Sequence, residues 1–229
     1  ELAKIKLITG KKEYFPNLTD TSDHGTSYVS FKADLEAEAN AEVHIPADFK
    51  DLDGRTLANT KKFPLKLPVA EFPPLAKING TFGIIEAGKE AVLPVTIRNT
   101  DRPLKIHFNQ ARWGSMSAPN ILKWMVAVNK RQQKGWEKDL RATSVFEGTK
   151  IALTRKELTP TLSKKDIEIV GLPLPGKGLH VVEVESPRLG QALLGEQKNF
   201  FISSLVLVTN MSIHVKMGED SALVWVTSL

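Results

Sequence analysis

Apolar and polar residues alternate with period two along several parts of the chain. From Val29 to Ile45 every odd position is apolar: Val29, Phe31, Ala33, Leu35, Ala37, Ala39, Ala41, Val43 and Ile45. Every even position from Ser30 to His44 is polar or charged. A half-buried strand requires that alternation, because successive side chains point to opposite faces. Seventeen residues exceed one ordinary strand of about 5–6. The small residues Ala37 to Ala41, with Asn40 among them, therefore predict a turn or bulge between two strands. The pattern returns at Ala91, Leu93, Val95 and Ile97, at Val182 and Val184, and at Met211, Ile213, Val215 and Met217. The run Leu205 to Val208 predicts a buried strand. The unbroken run Leu223, Val224, Trp225, Val226 predicts a central strand buried on both faces.

Turn signals punctuate these runs at Asp53-Gly54, Ala87-Gly88, Pro175-Gly176 and Met217-Gly218. Repeated short strands with such turns predict an all-β chain of tandem immunoglobulin- or fibronectin-like β-sandwiches. One stretch departs from period two. Between Ser117 and Arg141 apolar residues fall at Ile121, Leu122, Trp124, Met125 and Val128, which is helical spacing. Pro119 suits a first helical turn, and Gly135 ends or kinks the helix. A helical insertion near 117–141, lying on a β domain, is predicted. Pro64, Pro68, Pro73 and Pro74 crowd together and predict an edge strand followed by a linker. The expected divisions are 1–75 for a first sandwich, 76–208 for a second carrying the helical insertion, and 209–229 for the first strands of a following domain.

The length of 229 residues suits two ordinary domains, each large enough for a core without disulfides. No apolar run approaches the roughly 20 residues of a membrane helix. The net charge of +5 is dispersed among Asp and Glu. A nucleic-acid binder concentrates its basic residues, so no nucleic-acid partner is expected. Cysteine is absent, which removes disulfides, thiol catalysis and thiolate metal sites. Glu1 is not a start methionine, and Leu229 follows an apolar strand pattern. The chain is expected to be trimmed at both ends from a larger exported modular protein.

Candidate chemistry is thin. His24, His44, His107, His180 and His214 form no His-Glu-x-x-His zinc pattern. His44 and His214 lie on the polar side of alternating strands and are expected in solvent. His180 shares parity with Val182 and Val184, so a satisfied, partly buried histidine is expected. Asp51 and Asp53 before Gly54 suggest a calcium loop, but Lys62 stands where the acidic twelfth position belongs. A turn is the simpler reading. Glu183 and Glu185 share one strand face, with Cα atoms roughly 7 Å apart, as in a glycosidase carboxylate pair. No sugar-binding platform can be assigned beside them, and a solvated face is expected. Lys130, Lys134, Lys138 and Arg141, with Arg131 adjacent, fall at helical spacing. They could form an anion-binding patch, but Glu137 and Asp139 dilute them, and a solvated face is expected. Gly-x-Ser-x-Gly and Gly-rich phosphate loops are missing. The Asn-x-Ser/Thr positions Asn17, Asn79 and Asn210 matter only in a eukaryotic secretory setting. No catalytic, cofactor or metal residue is assigned, and the chain is expected not to be an enzyme.

Longer phrases are more specific. They are Phe82-Gly83-Ile84-Ile85-Glu86-Ala87-Gly88, Gly178-Leu179-His180-Val181-Val182-Glu183-Val184-Glu185-Ser186, then Leu189-Gly190 and Ala192-Leu193-Leu194. Leu207-Val208-Thr209-Asn210-Met211, His214, Lys216 and Leu223-Val224-Trp225-Val226-Thr227-Ser228-Leu229 follow. Together they resemble the N-terminal half of bacterial alpha-2-macroglobulins. Ile45-Pro46 and Asp51-Leu52-Asp53-Gly54-Arg55-Thr56-Leu57 are compatible with the domain that precedes it there. The resemblance implies tandem macroglobulin domains in a large periplasmic protein, often an inner-membrane lipoprotein. That protein acts as a broad-range protease trap with a cleavable bait segment and, in some members, a thioester. The thioester needs a cysteine, which this chain lacks, and Gly195-Glu196-Gln197 resembles only the end of its motif. No bait segment can be assigned. The implied role is a scaffold. Its partners would be the remaining domains of the parent, proteases through the parent, and a membrane only through a lipid anchor. Self-association through the C-terminal strands is a further expectation. The alternative is a cell-envelope adhesion or carbohydrate- or peptidoglycan-binding module, motivated by Trp113, Trp124 and Trp136. A glycosidase using Glu183 and Glu185 is the third reading.

Overall fold

The computed structural model describes residues 1–19, 26–88, 90–111, 117–135 and 137–229. His24, Trp113 and Trp136 lie outside the described residues. The chain divides into two compact units, Glu1–Phe72 and Pro73–Leu229.

In the first unit, β1 (Lys6–Thr9) and β2 (Lys12–Tyr14) form a hairpin whose turn holds Gly10 at φ 57°. β3 (Pro16–Asn17) pairs with β4 (Ser30–Phe31) as a small separate ladder. β5 (Asn40–His44) and β6 (Leu65–Pro68) complete a four-stranded sheet in the order β2-β1-β5-β6. Odd positions from Val29 to Ala41 are more buried than their even neighbours, as the alternation requires. Ladder pairing is confined to Ser30–Phe31 and Asn40–His44. Between them the Ala39 N–H donates to Glu36 O, closing a turn in which Glu38 adopts φ 63°. The expected turn is present, but residues 32–36 bury alternate side chains without strand pairing. β6, which ends in Pro68, occupies the sheet edge, where a missing N–H costs no ladder bond.

The second unit is a sandwich. β7 (Leu75–Ile78), β8 (Phe82–Glu86), β9 (Val92–Arg98) and β10 (Leu104–Ala111) come first. The helices α1 (Ala118–Gln133) and α2 (Lys138–Ala142) follow, then β11 (Thr154–Leu158), β12 (Glu168–Pro173) and β13 (Gly178–Ser186). α3 (Pro187–Leu194), β14 (Phe200–Thr209), β15 (Met211–Met217) and β16 (Ala222–Ser228) end the chain. One sheet has the order β11-β10-β13-β14-β8, with β8 parallel to β14, and the other the order β12-β9-β7. Leu93, Val95 and Ile97 of the smaller sheet meet Ile106, Phe108, Val182, Val184, Val206 and Val208 of the larger in one core. Fully burying such side chains stabilises by about 1.5–3 kcal/mol each.

The helical insertion enters between β10 and β11. Pro119 stands in the first turn of α1, and the helix stops at Lys134, just before Gly135. Val128 of α1 packs with Val145, Phe146, Val181 and Leu205 in a second core, on the other face of the larger sheet. That sheet is thus covered on both faces over part of its area.

The C-terminal strands differ from expectation. β16 pairs with β15 in a two-stranded ladder. Leu223, Val224, Trp225 and Val226 are all exposed rather than buried on both faces, and so are Met211, Ile213, Val215 and Met217. An apolar run signals a preference for burial, but the cover must come from elsewhere, and within this sheet only β15 is beside it.

Candidate functional site

β13 alternates between two environments. Val182 and Val184 point into the sandwich core, while Val181, Glu183 and Glu185 point to the face that carries the helical insertion. The ladder register places polar residues in ranks across this face. Arg155, His107, Glu183 and Ser203 stand opposite one another on β11, β10, β13 and β14. Glu157, Lys105, Glu185 and Phe201 form the next rank. Directly opposed side chains on one face are close enough to interact.

Glu183 is 0% exposed. Its carboxylate accepts a short hydrogen bond from Ser144 Oγ and another, at 2.7 Å, from the Val145 N–H. Ser144 Oγ also accepts from the Phe146 N–H at 3.1 Å. Arg131 of α1 donates to the carbonyls of Ala127, Thr143 and Ser144 at 3.1, 3.4 and 3.1 Å. One buried carboxylate therefore grips the segment after α2, and one guanidinium ties that segment back to α1. Burial pushes the Glu183 carboxyl above its ordinary value. The Ser144 and Val145 hydrogen bonds and the charges of Arg131 and His107 oppose the shift. Burial likewise lowers the pKa of Arg131, opposed by Glu183 and Glu147.

Glu185 is held differently. His107 Nε2 donates to it at 2.5 Å, Asn199 Nδ2 donates at 2.9 Å, and Lys105 Nζ lies 3.7 Å away. The side chains of His107 and Glu185 are each 14% exposed. A cavity of about 430 Å³ opens beside the pair, lined among others by Ser144, Phe146, Arg155, Asn199 and Phe201.

These observations correct the expected solvated face at Glu183 and Glu185. Parity placed them on one face correctly, but the insertion covers that face. Arg131 and Arg141 are likewise half-buried rather than solvated, and Arg141 lies over the Phe200 ring at 5.5 Å. Lys130, Lys134 and Lys138 are exposed. Lys134 pairs with Glu137 at 2.8 Å, and Lys138 donates to Leu194 O at 3.0 Å.

His180 is buried and donates from Nε2 to Gly176 O at 3.0 Å. Burial lowers its pKa and so favours the neutral ring, and that hydrogen bond opposes the shift. His44 is half-buried beside Glu42 at 3.2 Å, and His214 stacks on Trp225 with centroids 4.9 Å apart. Asp51 accepts from the N–H groups of Asp53 and Arg55 at 3.0 and 2.8 Å and pairs with the Arg55 side chain, and Gly54 sits at φ 79°. This is a self-satisfied turn. Trp124 is half-buried against Phe146 at 5.6 Å between centroids, so its ring is part of the insertion's packing.

The arrangement's chemistry is that of attachment. Ser144 donates to a carboxylate rather than to an imidazole, and His107 is held by Glu185. The hydrogen bonds of Glu183 and Glu185 run to elements packed against β13. No group of three or more His, Cys, Asp or Glu able to hold a metal occurs among the described residues. No helix among them is long and apolar enough to cross a membrane.

No family model matches the chain, and no curated protein matches it in sequence. In three dimensions it is similar to the crystal structure of a Salmonella alpha-2-macroglobulin mutant, with TM-score 0.58 and 11% identity. That likeness covers 100% of this chain and 12% of the other. It is also similar to a crystal structure of native Escherichia coli alpha-2-macroglobulin spanning domains MG0-NIE-MG1, with TM-score 0.44 and 15% identity. There 98% of this chain and 67% of the other are covered. At 11% identity the Salmonella likeness is one of fold, and at that level the resemblance read in the sequence is borne out. This chain spans about one eighth of the Salmonella chain's length.

Proposed function

We propose that the chain is a structural scaffold segment of a bacterial alpha-2-macroglobulin, a periplasmic broad-range endopeptidase inhibitor that works as a protease trap. The observation that carries this reading is the fold likeness to Salmonella alpha-2-macroglobulin over 100% of the chain. The hydrogen bonding of the polar cluster supports a non-catalytic role, because Glu183 and Glu185 are engaged in holding β13 to its covering segments. In this reading the chain works by rigidity. The insertion stiffens the second unit, and the parent's other domains meet the protease. The partners are those domains, target proteases through the parent, and a membrane through a lipid anchor on the parent. The apolar hairpin of β15 and β16 supports pairing with a further domain or with a second copy.

The test uses the longer polypeptide that contains the chain. Mixing that polypeptide with a trypsin-like endopeptidase should abolish cleavage of a large protein substrate. Undiminished cleavage of the large substrate would refute the inhibitor reading.

A further inference from the structure

α1 is apolar on two faces. Trp124, Ala127 and Val128 pack into the second core, against the larger sheet. On the other side Leu122, Met125 and Val126 are 60%, 38% and 65% exposed. Their spacing of i, i+3 and i+4 puts them in one stripe. Lys123, Lys130 and Lys134 follow one another at intervals of seven and four and line one flank of that stripe. Lys134 is paired with Glu137 at 2.8 Å. Lys123 and Lys130 are exposed and make no side-chain hydrogen bond or ion pair among the described residues. α1 itself contains no Asp or Glu, and the acids that follow, Glu137 and Asp139, stand beyond Gly135.

We propose that the outer face of α1 docks on the surface of an anionic lipid bilayer. Leu122, Met125 and Val126 dip into the boundary between headgroups and acyl chains, and Lys123 and Lys130 reach lipid phosphates. The charge is complementary: two unpaired ammonium groups flank the stripe, and no acid on the helix opposes them. A lysine stem covers apolar surface while its ammonium group stays at headgroup level. The helix has 16 residues and is not apolar enough to cross, so it lies in the plane of the surface. The shape agrees. The stripe is the convex side of a helix mounted on a sheet, which fits a flat surface, whereas a protein partner would need a groove cut to match it. Nucleic acid would meet the lysines and leave the apolar stripe uncovered. Val128 and Arg131 hold the helix to the structure beneath it, so the stripe is presented on a fixed base. In the sequence the two faces merge, because Leu122 and Met125 read as one helical stripe with Trp124 and Val128, and only burial separates them. The inference goes beyond the scaffold role and stands independently of it.

Co-sedimentation of the whole chain with vesicles of phosphatidylglycerol in phosphatidylcholine tests the surface. The apolar variant is Leu122→Gln with Val126→Gln, and the charge variant is Lys123→Gln with Lys130→Gln; all four side chains are exposed. The control is Lys61→Gln with Lys62→Gln in the first unit, which changes net charge as much as the charge variant does. The wild-type chain should bind these vesicles and not vesicles of phosphatidylcholine alone. Each lysine at an anionic surface strengthens binding on the order of fivefold, so affinity should fall about tenfold or more in the charge variant. The apolar variant should lose on the order of tenfold as well, and the control less than about twofold. Absence of wild-type binding, unchanged binding by the apolar variant, or equal loss in the charge variant and the control would overturn the proposal. A second readout does not depend on the variants' affinities. The chain has no cysteine, so an environment-sensitive fluorophore on Val126→Cys reports from one position. Its emission should shift to the blue when the chain binds vesicles, and an unshifted spectrum from vesicle-bound chain would overturn the proposal. Sedimentation velocity covers the other occupant: a wild-type dimer abolished by the apolar variant, without vesicle binding, would assign the face to a second copy and overturn the proposal.

Discussion

Replacing Glu183 with alanine should loosen the helical insertion from the sheet, and the cost can be worked from its contacts. The side chain is fully buried and accepts from Ser144 Oγ and the Val145 N–H. Hydrogen bonds to a charged acceptor contribute about 1.5–3 kcal/mol each. Removing the carboxylate also strands the Val145 N–H in a dry site and takes from Arg131 the larger of its two counter-charges, leaving Glu147. Breaking a buried charged network from one side costs about 3–5 kcal/mol, and that is the expected loss. Glu183→Gln keeps the shape and one acceptor for Val145, so its loss should be smaller, about 1–2 kcal/mol. Urea denaturation at neutral pH gives both numbers, and hydrogen exchange on the amides of α1 shows where the loss falls. Exchange in α1 should accelerate more than exchange in β9, which lies in the opposite sheet. A Glu183→Ala chain within about 0.5 kcal/mol of wild type, or with α1 protection unchanged, would refute the anchoring role.

Four other outcomes are expected. A Cβ on Gly190 would meet Lys198 O at 1.6 Å and Lys198 C at 2.7 Å, so Gly190→Ala should cost at least about 3 kcal/mol by thermal denaturation. Gly83→Ala, with nothing within 4 Å, should stay within about 1 kcal/mol of wild type. Phe146→Ala should cost about 3–5 kcal/mol in urea unfolding and alter Trp124 fluorescence, because Phe146 packs in the second core against Trp124. The pH dependence follows from the raised pKa of Glu183. Between its ordinary value of 4.5 and the raised folded value, the folded state holds more protons than the unfolded state, so stability falls as pH rises. The stability advantage of wild type over Glu183→Gln should therefore be greatest near or below pH 4.5 and shrink with rising pH, as read by urea midpoints across the range.

Much of the fold was legible where the signal is local. Ala91, Leu93, Val95 and Ile97 alternate in sequence, and all four are buried. The helical spacing after Ser117, with Pro119 near its start and Gly135 near its end, returns as α1 and the break before α2. The polar cluster was not legible, for a physical reason. Period two tells which residues share a face but not what covers it. Glu183 and Glu185 share a face, as read, yet the cover comes from an insertion far away in sequence. His107 and Glu185 are 78 residues apart, and only the β10–β13 register joins them. The same limit explains Leu223 to Val226: composition records a preference for burial, and the ladder to β15 leaves it unmet.

The scaffold account is tested most directly by titrating the purified chain alone into a trypsin-like endopeptidase with casein as substrate. The account predicts undiminished casein cleavage even at large molar excess of the chain. Stoichiometric loss of cleavage would contradict it, because the inhibitory machinery would then lie within these residues.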